Sequence, residues 1–164
     1  LRAVLLEVDP QPRAAATSGL VLECNLDDVT PELIGALTQR LLAAGALEVF
    51  TTAAQMKKQR PGVLLTVLCT GAERETMLDL IFRESTTFGV REYPVQRTVL
   101  ERRRVETATP FGPVRVKIGT WRGEDVTWAP EMDDCALRAQ ERAVPVRRVY
   151  EAAQQAAQAL RTRS

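Results

Sequence analysis

Between residues 20 and 98 the spacing of apolar residues switches in the order strand, helix, strand, strand, helix, strand, and this order limits the fold more than any other feature of the chain. Leu20, Leu22, Cys24 and Leu26 alternate with Val21, Glu23, Asn25 and Asp27, which predicts a strand with one apolar and one largely polar face. Thr30 is a suitable N-cap and Pro31 suits the first helical position. Leu33, Ile34, Leu37 and Leu41 then form one stripe, ended by Gly45. Strands over about Leu47 to Met56 and Val63 to Cys69 flank KKQRPG, a hairpin loop with three cations. Thr70 and Glu73 predict a capping box for a second helix that runs to about Glu84, with Leu78, Ile81 and Phe82 inward. A further strand begins near Val90. The expected class is α+β, a ferredoxin-like βαββαβ unit extended by a β-hairpin and C-terminal helices. Such a sheet carries both helices on one face and leaves the other for a ligand or another subunit.

The flanking segments complete the expected organisation. Residues 1–8 read as a short strand and Asp9 to Gly19 as a linker rich in Pro, Ala, Ser and Gly. Val99 to Thr107 and Val114 to Trp121 pair around ATPFGP, with another tight turn at Gly123. One helix starts at about Pro130 and the last near Pro145, with Val146, Val149, Tyr150 and Ala153 at helical spacing. The expected division is a strand and linker over 1–19, the ferredoxin-like unit over 20–98, and the hairpin with its helices over 99–164, all in one compact domain.

Several functions are disfavoured by composition. Histidine is absent, which removes the commonest zinc, copper and nickel ligand and the commonest general base. Cys24, Cys69 and Cys135 lie too far apart for a zinc knuckle, and an odd, unpatterned count favours a reducing, cytoplasmic setting. Cys24 and Cys69 fall on apolar strand faces and read as inert; Cys135 falls in a helix start, where a thiolate is stabilised. Net charge is +1 and no apolar run approaches ~20 residues, so neither a polyanion nor a membrane is the expected partner. The first residues do not read as a signal peptide, and they begin without Met, as in a piece of a longer protein.

Candidate binding residues are clustered. Glu23, Asn25 and Asp27 share a strand face, with Asp28 beside them; one or two such carboxylates suffice for a hard divalent ion that keeps its waters, and capping of the Thr30 helix is the plainer reading. Lys57, Lys58 and Arg60 suit phosphate groups, or else keep a hairpin soluble. Ser85, Thr86, Thr87, Gly89 and Arg91 are compatible with an anion-binding concavity or with an ordinary helix end. Segment 97–117 holds six cations, Lys117 among them, against two carboxylates. In the run Arg102-Arg103-Arg104, either one side chain crosses to the other face or the strand is an edge. Glu131, Asp133 and Asp134 complement a helix dipole, with a metal role as the alternative reading.

In order, ECNLDDVTPE, MKKQRPGVLLTVLC, FRESTTFGVR, TPFGPVRVK, PEMDDC and VPVRRVY resemble the C-terminal domain of the LarC family of nickel-insertion proteins. The family pattern has Thr where this chain has Cys24 and Ser85, and Tyr where it has Met132. The resemblance implies a CTP-dependent nickel chelatase, a cyclometallase of the lyase class. It would insert Ni2+, its substrate metal, into a pyridinium bis-thiocarboxylate mononucleotide, with CTP and Mn2+ or Mg2+ as cofactors. It also implies a partner N-terminal domain and assembly into a homo-oligomer, a trimer or hexamer. On this resemblance Asp27 and Asp28 are expected at the metal, and Lys57, Lys58, Arg60, Thr86, Thr87, Arg91 and Lys117 at the nucleotide; it assigns no catalytic residue. Two other classes fit the fold: a nucleic-acid-binding module and a purely structural oligomerisation domain. The first is disfavoured because aromatics are few and the central strands offer Glu23, Leu64 and Thr66 where stacking residues belong.

Overall fold

The computed structural model describes residues 16–161, so the strand expected over 1–8 and most of the linker lie outside the described residues. Two antiparallel sheets and four helices follow in the order β1 (Ala16–Leu26), α1 (Pro31–Ala43), β2 (Glu48–Gln55), β3 (Pro61–Cys69), α2 (Arg74–Glu84), β4 (Arg91–Thr98), β5 (Glu101–Thr109), β6 (Gly112–Trp121), β7 (Glu124–Pro130), α3 (Met132–Arg142) and α4 (Val146–Arg161). Chain contacts divide these into two compact units, Ala16–Arg97 and the residues from Thr98 on, where the sequence suggested one domain.

The first unit has strand order β2-β3-β1-β4, the ferredoxin-like arrangement. The alternation in β1 decides its faces. Leu22, Cys24 and Leu26 are buried with Leu65, Val67 and Cys69 of β3, beneath Leu37 and Leu41 of α1 and Met77 and Ile81 of α2. Register sets Glu23 opposite Thr66 and Asn25 opposite Leu64, on the face away from the helices. Thr30 caps α1 by accepting from the Leu33 backbone N–H at 3.5 Å, and Pro31 opens the helix. Gly45 closes it at φ +103°, a left-handed conformation that glycine adopts without a Cβ penalty.

Local details differ from the sequence expectation for identifiable reasons. β1 begins at Ala16, so residues 16–19 belong to the strand. Leu68, Val95 and Arg97 close over Gly19, where an added Cβ would stand 3.0–3.2 Å from all three. The capping box does not form: Thr70 bonds the Glu73 carboxylate and accepts from Ala72 N–H at 3.2 Å, in a turn ahead of a helix that starts only at Arg74. Starting there, the inward stripe is Met77 and Ile81, and Phe82, expected inward, is 47% exposed.

The second unit is a β5-β6-β7 meander covered by α3 and α4. Val114, Val116 and Ile118 of β6 are buried, with Cys135 and Ala139 of α3 and Val149, Ala153 and Ala157 of α4 in the same cores. Arg122 and Gly123 both have positive φ, as a two-residue hairpin turn requires. Both readings of the arginine run hold. β5 is an edge strand, and Arg103, opposite Ile118, differs in face from its neighbours and grips Asp125 with two 2.6 Å bonds. Those bonds hold the Asp125 carboxyl at about 2. Among the described residues no helix is long and apolar enough to cross a membrane.

Candidate functional site

The end of β1 gathers most of the residues singled out in the sequence. Asp27 follows directly on β1, with its side chain only 18% exposed, and pairs with Arg60 at 3.5 Å. Asp28 accepts a hydrogen bond from the Thr86 hydroxyl. These adjacent carboxylates therefore each touch a different loop, KKQRPG on one side and STTFG on the other. Gly62 lets the first loop come so close. A Cβ there would stand 2.6 Å from the Leu26 carbonyl oxygen and 3.2 Å from the Asp27 Cβ.

The KKQRPG loop is a single 3-10 turn, Lys57–Gln59, closed by a Met56 N–H to Arg60 carbonyl bond of 2.9 Å. Lys58 and Gln59 both adopt left-handed φ, 60° and 59°, without being glycine. Such strain costs of order 1–3 kcal/mol per residue and clusters at functional sites. Lys57, Lys58 and Arg60 are exposed, and among the described residues neither lysine meets a carboxylate.

The second loop is held by its hydroxyls. Thr87 N–H donates to Ser85 Oγ at 3.3 Å, and the Thr87 hydroxyl donates to the Gly89 carbonyl at 3.0 Å. That hydroxyl also lies against the Cys24 thiol, whose pKa burial nonetheless raises. Beyond the loop, Arg91 donates to Asn25 Oδ1 at 2.6 Å and stands 3.9 Å from the Glu23 carboxylate. Glu23 also accepts from Tyr93 at 3.1 Å and from Thr66 at 3.5 Å. Glu23 and Asn25 are thus engaged within the sheet and orient Arg91, whereas Asp27 and Asp28 meet the two loops.

Asp27 and Asp28 are oxygen donors of the type that a hydrated hard cation takes. The two residues are adjacent in sequence and their carboxylates meet different loops, and among the described residues no group of three or more His, Cys, Asp or Glu side chains is placed to hold a metal ion. Lys117, expected at the nucleotide, lies in the second unit. There Lys117 and Arg104 share Glu131, at 3.6 and 2.9 Å. Asp134 accepts from the Arg115 backbone and guanidinium at 2.6–2.9 Å, which holds its carboxyl at about 2. The PEMDDC carboxylates Glu131 and Asp134 thereby bind α3 to the meander. Cys135 is buried, and burial together with Asp134 raises its thiol pKa, against the thiolate expected at a helix start.

Sequence reasoning missed two exposed aromatics on the open sheet face. Phe50 is opposite Thr66, and Tyr93 bonds Glu23, so the edge strands carry the rings that the central strands lack. Val49 packs against the core, and strand alternation from it was the available signal for Phe50.

Comparison with known proteins identifies the family. The family model described as nickel insertion protein matches residues 1–150. This chain belongs to the nickel insertion protein family. It is 50% identical over 140 residues to a putative nickel insertion protein of Myxococcus xanthus, covering 85% of this chain and 36% of that one. It is 45% identical over 136 residues to the pyridinium-3,5-bisthiocarboxylic acid mononucleotide nickel insertion protein of Acetivibrio thermocellus, covering 83% of this chain and 33% of that one. The chain thus spans about a third of the length of these relatives. Among solved structures it is similar to the apo form of LarC2, the C-terminal domain of a cyclometallase involved in synthesis of the NPN cofactor of lactate racemase. The TM-score is 0.83 and the identity 44%, over 87% of this chain and 98% of that one. The resemblance to the LarC family and the α+β, ferredoxin-like class are therefore confirmed.

Proposed function

We propose that this chain is the metal–CTP-binding and self-associating part of a nickel-insertion enzyme whose substrate is pyridinium-3,5-bisthiocarboxylic acid mononucleotide. The observation that carries this reading is the meeting of Asp27 and Asp28 with a tricationic loop and a hydroxyl-rich loop at one end of the ferredoxin-like sheet. The name of the Acetivibrio thermocellus relative supports the substrate. Asp27 and Asp28 supply oxygen donors to Mn2+ or Mg2+. Held there, such an ion would supply charge neutralisation to the phosphates. Lys57 and Lys58 supply point charges to the phosphates, and Arg60 and Arg91 supply planar forks, Arg91 already aimed by Asn25. Thr86 and Thr87 set the second loop beside them.

Nickel is the substrate metal in this reading. The three thiols are buried and burial raises their pKa values, so none of them is placed to ligate nickel as a thiolate. The open sheet face, with Phe50, Leu64 and Leu68, supports self-association.

The test compares ligands with and without phosphates. Lys57→Ala and Arg60→Ala should each weaken manganese–CTP binding about tenfold, the scale of a charge-assisted hydrogen bond, and leave cytidine binding unchanged. Equal losses for CTP and cytidine would remove these residues from the phosphates.

A further inference from the structure

The side chain of Phe88 is fully exposed, beyond every other large apolar side chain among the described residues. It is nevertheless mounted on a fixed loop. Thr86 before it is bonded to Asp28, Thr87 is bonded to Ser85 and Gly89, and the Gly89 N–H returns to the Thr87 hydroxyl at 3.4 Å. Three residues later Arg91 is anchored on Asn25. Both sides of Phe88 are therefore tied to the polar end of β1, through Thr86 on Asp28 and Arg91 on Asn25. Space beside it is open: a Cβ added at Gly89 would meet nothing within 4 Å.

An exposed ring on a hydrogen-bonded loop, two residues from a threonine that meets Asp28, has the elements of a nucleotide platform. Cations take the phosphates, and an aromatic face takes the planar ring of the base. We infer that Phe88 stacks on the ring of a nucleotide whose phosphates lie at Asp27, Asp28 and the KKQRPG loop. This rests on the functional reading above and adds to it the residue that senses the ring. Two nucleotides share the required chemistry. One carries a pyrimidine base, and the other a pyridinium ring, whose positive charge adds a cation–π attraction.

Calorimetric titration of the parent chain, Phe88→Ala and Phe88→Trp separates the possibilities. The probes are manganese–CTP, nicotinic acid mononucleotide as a pyridinium nucleotide, and inorganic tripolyphosphate with manganese. Phe88→Ala should weaken one nucleotide about tenfold, and the one that weakens identifies the ring. Phe88→Trp should retain the parent affinity, and tripolyphosphate should bind all three proteins equally. Unchanged affinity for both nucleotides would overturn the inference, as would an equal loss for tripolyphosphate. A lowered sedimentation coefficient in Phe88→Ala with nucleotide binding intact would place the ring at a protein contact and overturn it too. If the parent binds tripolyphosphate but neither nucleotide more tightly, the stacking role fails and the phosphate site stands. If the parent binds none of the three, both fail.

Discussion

Replacing Asp27 and Asp28 together by Asn is expected to weaken manganese–CTP binding at least about 100-fold while leaving the chain folded. Loss of a group that merely supports a metal ligand already costs about 10–100-fold in affinity, so loss of both direct oxygen donors should reach or exceed that range. The fold should tolerate the change because neither carboxylate holds up the core. Asp27 makes one 3.5 Å pair with Arg60, which is 56% exposed, and Asp28 makes one hydrogen bond to exposed Thr86. Pairs of this kind contribute about 0–1 kcal/mol. Thermal melts should therefore nearly coincide with the parent's while calorimetry shows the loss. Full binding by the double variant would take the metal role away from this pair.

A second large effect is expected at Gly62. Gly62→Ala sets a methyl group 2.6 Å from the Leu26 carbonyl oxygen and 2.7 Å from Met56 Sδ. The sulfur can swing aside, but the carbonyl is part of β1, where Leu26 pairs with Val63. Overpacking against fixed backbone costs about 1–3 kcal/mol. In a unit of this size about 2 kcal/mol lowers the melting temperature by about 10 °C. The same displacement lifts the KKQRPG loop from Asp27, so CTP affinity should fall as well. Adding Met56→Ala relieves only the sulfur contact and should not restore either property. A parent-like melt in Gly62→Ala would show that the loop does not depend on this close approach.

Strict alternation made β1 legible from sequence. Leu22, Cys24 and Leu26 had to share a face, and the opposite face then had to carry Glu23 and Asn25. The contacts that assemble the candidate site were less accessible. Asp27 and Arg60 are 33 residues apart and Asp28 and Thr86 are 58 apart, so their meeting depends on the strand order β2-β3-β1-β4. The ferredoxin-like expectation contained that order but not the side-chain pairs. Helix phase was the weakest inference. A start at Arg74 rather than at the Thr70 turn leaves Phe82 on the solvent side. Position alone also misled at Cys135. Its place in the first turn of α3 suggested a stabilised thiolate, whereas the amphipathic phase of that helix buries it with Val114 and Val149. Charge runs concealed pairing: Lys117, Arg104 and Arg115 all meet carboxylates of the PEMDDC segment. Phe88 carried no periodic signal, because a residue in a loop belongs to no strand or helix face.

The central claim is that residues 16–97 fold around a site for a metal-bound nucleoside triphosphate, and calorimetry of the parent chain tests it most directly. Titrating CTP, ATP, GTP and UTP with and without manganese should give saturable binding of CTP that requires the metal, with the other three weaker. Failure of all four nucleotides to bind the folded chain in the presence of manganese would contradict the account.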